Sequence, residues 1–280
     1  MLFLANTPPV KGLVRALQQG GVDAQESSTT ALWQRRMEQI FSAYLAATPE
    51  ALQVRFLGTA DEGLDIVRVE RQGDQLVVAT STNLQRNGDA VHVREALRLG
   101  EGMVFVSDLG LHREQGQVGL PHRPTIHYAT PVHSAYNQVF GAIVVTVDVS
   151  GRVGALAPGV GPRPQVYATN AQGDFVANPD PSLNFGFDLG QRHVWNDSFL
   201  PAPAPDGFSG DRVGWWKGPQ GLVMAAQASV MGNPDSSIGV LRYTATRLDS
   251  ELKTEAMASA REGVPPLLGT GAAGALMLYL

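Results

Sequence analysis

Three histidines within twelve residues and the absence of cysteine determine which metal sites and nucleophiles this sequence could provide. His122, His127 and His133 suggest a metal site because they lie close together in the chain. Their spacing matches no known zinc pattern, and the sequence contains no H-E-x-x-H. We therefore expect these histidines to be ordinary loop and strand residues, with no metal and no cofactor.

The motifs of common enzymes are also missing from the sequence. A chain without cysteine has no thiol nucleophile and no disulfide, and neither a Walker A loop nor a G-x-S-x-G turn occurs. Gly269–Gly274 matches G-x-G-x-x-G, but no predicted strand precedes it. The sequence predicts a protein that is not an enzyme, and a hydrolase is the least supported alternative.

A long polar stretch between two predicted strands contains candidates for binding a small molecule. Ser107 and Asp108 end one strand and open the loop, where they either face a pocket or form an ordinary turn. His112, Arg113 and Glu114 follow as a charged group that either binds a ligand or is solvated. A loop of this length in a compact domain is usually functional.

Two further candidates lie on the strands that follow this loop. His127 alternates with Thr125 and Ala129 on one face of a predicted strand, where it either contacts a ligand or pairs with a neighbouring acid. Asp148 is a lone acid at the end of an apolar strand. Its carboxylate could hold a ligand ammonium or hydroxyl group, or it could cap the helix predicted to follow.

The composition narrows the range of partners. The chain has 280 residues, 44% of them hydrophobic, which is typical of a packed globular protein. Its formal net charge is −5, and no run of Lys or Arg occurs. An acidic surface repels phosphate groups, so we expect no binding to nucleic acid.

The hydrophobic periodicity predicts two similar α+β halves. Apolar residues recur every three or four positions in Ser28–Ala47, which indicates a helix that Pro49 ends. The other predicted elements of the first half are a helix at Val10–Gln19, a hairpin of Leu52–Gly58 and Leu64–Arg71, a helix at Ala90–Leu99, and strands at Met103–Ser107, Thr125–Pro131 and Phe140–Val149. Those of the second half are a short helix at Gly151–Leu156, strands at Val166–Asn170, Phe175–Ala177, Gly221–Met231 and Ser237–Thr246, and a helix at Leu248–Glu262.

The two ends of the sequence bear on a membrane location. Val264–Leu280 has no charged residue and is rich in Gly and Ala, which favours the start of a transmembrane helix over a buried C-terminal helix. Met1–Val10 has neither the basic region nor the cleavage site of a signal peptide. Either the chain is cytosolic or a preceding membrane segment has been lost.

The order of several short motifs resembles the double-Cache sensor domains of bacterial transmembrane receptors. Within VSDLGLHREQGQVGLPHRPTIHYATPVHSAYNQVFGAIVVTVDV, one strand ends at Ser107, one ends with Ala129–Val132, and one spans Phe140–Asp148. VYATNAQGDFVANPDPSLNFGFDLG resembles the opening of the membrane-proximal subdomain, and LANTPPVKGLVRA resembles the first long helix. The resemblance covers Met1 to about Glu262.

This resemblance implies an α+β fold of two tandem PAS-like (Cache) subdomains, each an antiparallel sheet with flanking helices. It implies an N-terminal helical region at residues 1–48, a membrane-distal subdomain at 49–150, a membrane-proximal subdomain at 151–247, a connecting helix at 248–263, and the start of a transmembrane helix at 264–280. It also implies that a first membrane helix precedes residue 1.

The function implied by the resemblance is extracytoplasmic sensing of a small molecule at the bacterial inner membrane. The ligand would lie between the distal sheet and its covering loops, and its class is open. By position, Asp148 is the leading candidate, with Ser107, Asp108, His112, Arg113 and His127 as further ones. A homodimer would pass the signal through the C-terminal helix to a histidine kinase, diguanylate cyclase or chemotaxis effector that this chain lacks.

One departure from the family pattern bears on the ligand. Amino-acid-binding members have an Arg-x-Trp-Tyr type motif, and the corresponding stretch Asn87–Glu95 lacks it. An arginine that would bind a carboxylate in bidentate fashion is therefore absent there, which puts amino-acid ligands in doubt. The alternative function is a ligand-free module for dimerisation or for binding a partner protein.

Overall fold

The chain divides into two compact units, each with its own β-sheet. The computed structural model describes residues 1–114, 116–156, 165–170, 172–195, 213–218, 221–229, 240–247, 254 and 257–258. The first unit contains Met1–Ala155, Phe185–Arg192 and the described residues Ser229 and Val240, and the second contains the described parts of Leu156–Asn184, His193–Ala228 and Leu241–Leu280.

The described residues contain helices and strands joined by turns and loops. The helices are α1 (Leu2–Ala5), α2 (Pro8–Gln18), α3 (Thr30–Ala47), α4 (Val91–Ala96), α5 (Ser150–Leu156) and α6 (Gly186–Leu189). The strands before α5 are β1 (Val22–Asp23), β2 (Ser28–Thr29), β3 (Ala51–Gly58), β4 (Asp65–Gln72), β5 (Gln75–Val78), β6 (Phe105–Val106), β7 (Gly110–Leu111), β8 (Arg113–Glu114), β9 (Gln117–Val118), β10 (Pro124–His133) and β11 (Val139–Asp148).

The main sheet of the first unit has the order β5-β4-β3-β11-β10-β6, and β7 also pairs with β10. Every pairing in it is antiparallel. The long strands β10 and β11 form its centre together with β3. Because successive side chains of a strand point to opposite faces, β3 presents Val54 and Phe56 to one face and Gln53 and Arg55 to the other.

The apolar face of this sheet packs against the N-terminal helices. In α3, the buried residues Trp33, Met37, Phe41 and Leu45 recur every four positions, and they join one core with Val54, Phe56 and residues of α2. Thr29 caps α3 by accepting a hydrogen bond from the backbone N–H of Leu32 at 3.3 Å. The helices therefore leave the opposite face of the sheet for other contacts.

A smaller apolar cluster occupies part of that opposite face. Leu57, Ala142 and Val144 of the sheet pack with Val93 and Ala96 of α4 and with Ala129 of β10. The helix α4 is thereby fixed over one end of the face, beside the polar residues of β3.

The second unit has a sheet of five described strands, which contains three antiparallel pairings. Its described strands are β12 (Gln165–Thr169), β13 (Phe175–Ala177), β14 (Val213–Gly218), β15 (Gly221–Ser229) and β16 (Val240–Arg247), in the order β13-β12-β16-β15-β14. A 3-10 helix at Pro181–Leu183 follows β13. Tyr167, Phe175 and Trp195 form a buried cluster with Leu183 against it.

The predicted α+β class, with an antiparallel sheet and flanking helices, is confirmed, while the tandem pairing of two Cache subdomains stays a prediction. The short strands β1, β2, β5 and β7–β9 were not predicted, nor was β14. Most of the predicted helix Leu248–Glu262 lies outside the described residues. Its described residues, Thr254, Met257 and Ala258, are helical. Val264–Leu280 lies entirely outside them. No helix among the described residues combines the length and the apolar character needed to cross a membrane.

Candidate functional site

The polar face of the first sheet forms the floor of a cavity of about 1040 Å³. Every residue that lines it belongs to the first unit. The lining comes from the sheet (Gln53, Arg55, Thr125, His127, Thr146), from α4 and its flanks (Asn87, Ala90, Val91, His92, Glu95, Leu99), from the covering segment (Met103–Arg113, Gly116) and from Phe187 and Asp188. A volume of this size accommodates a small organic molecule.

A row of polar side chains crosses four strands at the floor of this cavity. His127 on β10 stands opposite Thr146 on β11, Thr146 stands opposite Gln53 on β3, and Gln53 stands opposite Glu70 on β4. His127 Nδ1 lies 3.0 Å from Thr146 Oγ1, and Gln53 Nε2 donates to Glu70 Oε2 at 3.0 Å. The strand register therefore assembles polar groups that are far apart in the sequence.

Arg55 is a buried cation beside this row, with 8% of its surface exposed. Its Nε donates to Gln53 Oε1 at 2.9 Å, and its Nη2 donates to the same oxygen. Its Nη1 lies 3.6 Å from Asp65 Oδ1, beyond normal hydrogen-bond distance. Within the part of the chain that the structure describes, Nη1 therefore has hydrogen-bonding capacity that no protein group uses.

Asp65 is the main counter-charge of this cluster and is 1% exposed. Its Oδ2 accepts a hydrogen bond from the backbone N–H of Gln85 at 3.1 Å and lies 3.9 Å from Arg68 Nε. Burial raises the pKa of Asp65, and burial lowers the pKa of Arg55. Arg55 lines the cavity, whereas Asp65, the carboxylate that pairs with it, does not.

Two histidines stack in the cavity wall. The rings of His92 on α4 and His127 on β10 are nearly parallel, at an interplanar angle of 14° and a centroid distance of 4.2 Å. Burial, with Arg55 as a further cause, lowers the pKa of His92 to about 4. Burial also lowers the pKa of His127 well below its ordinary value, helped by His92 and Arg55. The pair is therefore neutral at pH 7.

The covering segment is tied to the floor and to a distant part of the chain. Ser107 Oγ accepts a hydrogen bond from the backbone N–H of His127 at 2.9 Å and donates to the carbonyl of Asp108 at 2.8 Å. Asp188 Oδ2 accepts from the backbone N–H of Leu111 at 2.7 Å, and Asp188 Oδ1 accepts from Arg113 Nη2 at 2.9 Å. These bonds hold the segment over the cavity.

Five of the six binding residues predicted from the sequence line this one cavity: Ser107, Asp108, His112, Arg113 and His127. Burial lowers the pKa of His112, which is partly buried, whereas Asp108 and Arg113 are exposed at the rim. The covering segment also contains short strands, β7 to β9, rather than a wholly irregular loop. Whether these residues bind a ligand stays a prediction.

Asp148 lies outside the cavity, contrary to its expected place at the binding site. Its Oδ1 accepts a hydrogen bond from the backbone N–H of Ser150 at 2.8 Å, at the start of α5. Asp148 stands opposite Thr125 near the ends of β11 and β10, and its carboxylate is used by the helix that follows. The structure thus supports the alternative, a residue that caps the helix.

Arg55, His92 and Asp188 are cavity residues that the sequence reasoning did not identify. The alternation in Leu52–Phe56 places Gln53 and Arg55 on one face of a strand, which is a detectable signal of a polar face. His92 lies within Asn87–Glu95, where no binding motif of the family marks it. Asp188 is 77 residues from Leu111, and no local pattern indicates their contact.

No group of three or more His, Asp or Glu side chains that could hold a metal ion occurs in the described ranges. The three histidines noted in the sequence have different surroundings. His127 lines the cavity, His122 is exposed, and His133 lies at the end of β10.

Comparison with known proteins gives one family match. A sequence model for the sensor domain of bacterial histidine kinases matches residues 25–204, well over half of the chain. No curated protein matches the sequence.

Several solved structures have a similar fold. The extracellular domain of a protein assigned as histidine kinase vpHK1S-Z8 has a TM-score of 0.65 and 16% identity, covering 91% of this chain and 84% of that chain. A domain of a Vibrio parahaemolyticus protein assigned to the sensory box/GGDEF family has a TM-score of 0.66 and 16% identity, covering 90% and 88%. The ligand-binding domain of the Campylobacter jejuni chemoreceptor Tlp3, in complex with L-valine, has a TM-score of 0.51 and 15% identity, covering 86% and 84%. At these identities the likeness concerns the fold alone.

Proposed function

The chain belongs to the bacterial histidine kinase sensor domain family, and we propose from that premise that it is the extracytoplasmic, small-molecule-binding sensor of a membrane receptor. Domains of this family sense rather than catalyse, and the effector is a separate domain. The observation that carries the proposal is the cavity of about 1040 Å³ in the first unit, with Arg55, His127 and Thr146 in its floor.

The construction of the cavity supports ligand binding rather than a purely structural role. Small-molecule sites combine an apolar lining with a few fixed polar groups. Here Val91, Leu99 and Phe105 supply apolar surface, while Arg55 and His127 supply polar groups that the strand register holds in place. The alternative, a ligand-free interaction module, would be favoured if side chains filled this space. Instead, the side chains leave a cavity of about 1040 Å³.

Signal transmission is the finer part of the proposal. Ligand binding would favour one of two conformations of the covering segment, and the difference in ligand affinity between them is the available energy. The signal would pass along Leu248–Glu262 to a membrane helix that begins in Val264–Leu280, in a homodimer. The support for this part is the uncharged C-terminal sequence and the family's role as the sensing part of histidine kinases.

The test is a thermal-shift screen of the 280-residue chain against a library of small metabolites. A ligand that binds only the folded state raises the midpoint of unfolding, with about 2.7 kcal/mol of stabilisation at about 100 times its Kd. We expect at least one compound to raise the midpoint with a saturating dose dependence. A library that spans acids, bases, sugars and nucleosides and yields no such compound contradicts the proposal.

A further inference from the structure

The cavity also indicates the class of its ligand. We propose that it binds a small organic carboxylate against Arg55, and that the stacked pair His92–His127 takes up a proton as the ligand binds. This inference rests on the proposed sensing function and adds a ligand class and a pH dependence to it.

Arg55 is placed to receive an anion. Arg55 lines the cavity, and two of its N–H groups donate to Gln53, which fixes the plane of the guanidinium. The third nitrogen, Nη1, makes no hydrogen bond to any described residue. A fixed guanidinium with free donors is the preferred protein partner of a carboxylate. Its nearest acid, Asp65, stands at 3.6 Å and does not line the cavity.

The other charged groups of the cavity have their own partners or are exposed. The ionisable residues that line the cavity are Arg55, Glu95, Asp108, His112, Arg113 and Asp188, together with the histidine pair. Arg113 pairs with Asp188 at 2.9 Å, Glu95 pairs with Arg98 at 2.7 Å, and Asp108 is exposed. Among the described residues that line the cavity, Arg55 is therefore the charged group that is buried, at 8% exposure, and its charge is positive.

The apolar wall favours an organic acid over an inorganic anion. Val91, Leu99 and Phe105 lie around the same space, and the volume of about 1040 Å³ greatly exceeds that of a phosphate ion. A ligand with a carboxylate at one end and an apolar body satisfies both parts of the cavity.

The histidine pair couples this binding to protons. Neither ring nitrogen of His92, nor Nε2 of His127, hydrogen-bonds to any residue that the structure describes, so these nitrogens are available to a ligand. Burial and the positive charge of Arg55 keep both rings neutral. A bound carboxylate adds a negative charge beside the rings and favours protonation of one of them.

Uptake is limited to one proton, because two imidazolium rings at a centroid distance of 4.2 Å would repel each other. The groups that face the pair from the packed elements are Arg55 from β3, His112 from the covering segment and Thr146 from β11. Both Arg55 and His112 oppose protonation, so an anionic ligand is the change that permits it. Affinity for the carboxylate therefore increases as the pH falls.

The experiment compares matched compounds by calorimetric titration of the full chain. Benzoate, phenylacetate and succinate are each paired with the corresponding amide, and benzylamine and inorganic phosphate complete the set. Titration at about pH 6 in PIPES and in bis-Tris, whose ionisation enthalpies differ, measures the protons taken up. We expect at least one carboxylate to bind more than about tenfold tighter than its amide, with uptake of up to one proton.

Variants separate the two parts of the inference. Arg55→Lys keeps a positive charge but removes the planar donor pair, and it should weaken carboxylate binding by about tenfold. His92→Gln should remove proton uptake and flatten the pH dependence of affinity, which in the unaltered chain amounts to at most about tenfold per pH unit. Arg94→Gln, at an exposed position of α4 outside the cavity, is the matched control and should change neither quantity.

The outcomes distinguish this inference from the sensing function. If amides, benzylamine or other neutral or cationic compounds bind and the carboxylates do not, the inference is overturned and the sensing function stands. Stronger binding of phosphate than of every carboxylate overturns the assignment to organic acids. Carboxylate binding without proton uptake, or uptake that persists in His92→Gln, overturns the role of the pair. If neither these compounds nor the library binds, both proposals fail.

Discussion

The carboxylate of Asp188 accepts a 2.7 Å hydrogen bond from the backbone N–H of Leu111, across 77 residues of sequence. Leu111 is buried in the segment that covers the cavity, and Asp188 lies in α6, part of Phe185–Arg192. Since the Asp188 side chain bonds to both Leu111 and Arg113 of the covering segment, its removal should loosen the cover of the cavity more than the sheet beneath it.

Replacement of Asp188 by Ala should therefore destabilise the protein. The change removes a charge-assisted hydrogen bond to Leu111 and an ion pair with Arg113, and we expect a loss of about 1–2 kcal/mol in the free energy of unfolding. Urea denaturation measures this loss. Hydrogen exchange should show faster exchange of the Leu111 amide.

Two further variants identify which bond matters. Asp188→Asn keeps an oxygen acceptor for Leu111 and should recover most of the loss. Arg113→Ala removes the ion pair with Asp188 and the hydrogen bonds of an exposed guanidinium to two backbone carbonyls, and it should cost less than about 1 kcal/mol. Equal losses in Asp188→Asn and Asp188→Ala would show that the bond to Leu111 contributes little.

Asp65 should be among the most sensitive polar positions of the first unit. Asp65→Ala leaves Arg55 and Arg68 as buried guanidinium groups without their shared counter-charge, which we expect to cost about 3–5 kcal/mol of unfolding free energy. Chemical denaturation of the variant measures the cost.

The matched control for this prediction is an ion pair on the surface. Glu62 lies 3.9 Å from Arg86, and both side chains are exposed, so Glu62→Ala should change stability by less than about 0.5 kcal/mol. A similar effect of both substitutions would contradict the importance of burial.

Gly141 is required by the close approach of two central strands. A Cβ atom at this position would lie 2.1 Å from the carbonyl oxygen of Leu57 on β3, so Gly141→Ala must displace backbone. We expect a loss of about 3 kcal/mol or more in the free energy of unfolding, measured by denaturation. Gly100 is the control, because a Cβ atom there would meet no other atom within 4 Å, and Gly100→Ala should change stability by less than about 0.5 kcal/mol.

The stability of the ligand-free protein should decrease between about pH 6.5 and about 4. In this range the unfolded chain binds a proton at His92, while the folded chain does not, because burial lowers the pKa of His92 to about 4. His92 alone accounts for a decrease of at most about 3 kcal/mol, which is complete below about pH 4. Thermal or urea unfolding across this pH range measures it.

Carboxylates titrate in the same pH range, so the informative quantity is the difference in pH-dependent stability between the unaltered chain and its variants. His92→Gln should reduce the pH dependence across this range, and the same substitution at exposed His122 should not. Identical pH profiles for the unaltered chain and His92→Gln would mean that the ring is already solvated in the folded state.

The helices and strands of the first unit that depend on local sequence pattern could be predicted from the sequence. Apolar residues at helical spacing gave α2 and α3 to within two residues, and strand alternation gave β3, β4, β10 and β11 to within two. The five cavity residues from Ser107 to His127 follow from strand ends and a long polar loop, since loops next to strand ends commonly form binding sites.

The remaining features depend on contacts between distant residues. His127, Thr146 and Gln53 align only because the register of three strands brings them opposite one another, and no single segment encodes that register. Asp148 was assigned to the cavity from its position after an apolar strand, but its carboxylate serves the neighbouring helix. Local pattern alone does not distinguish an acid that caps a helix from one that faces a ligand.

Blocking the mouth of the cavity tests the central claim most directly. Val91 lines the cavity and is 60% exposed, whereas Val22 is 48% exposed and lies outside it, so Val91→Trp and Val22→Trp add the same bulk at comparable surface positions. With a compound that stabilises the unaltered chain, we expect the ligand-induced rise in Tm to be lost in Val91→Trp and retained in Val22→Trp. A rise that persists in both variants would place the ligand elsewhere and contradict the assignment of this cavity as the sensory site.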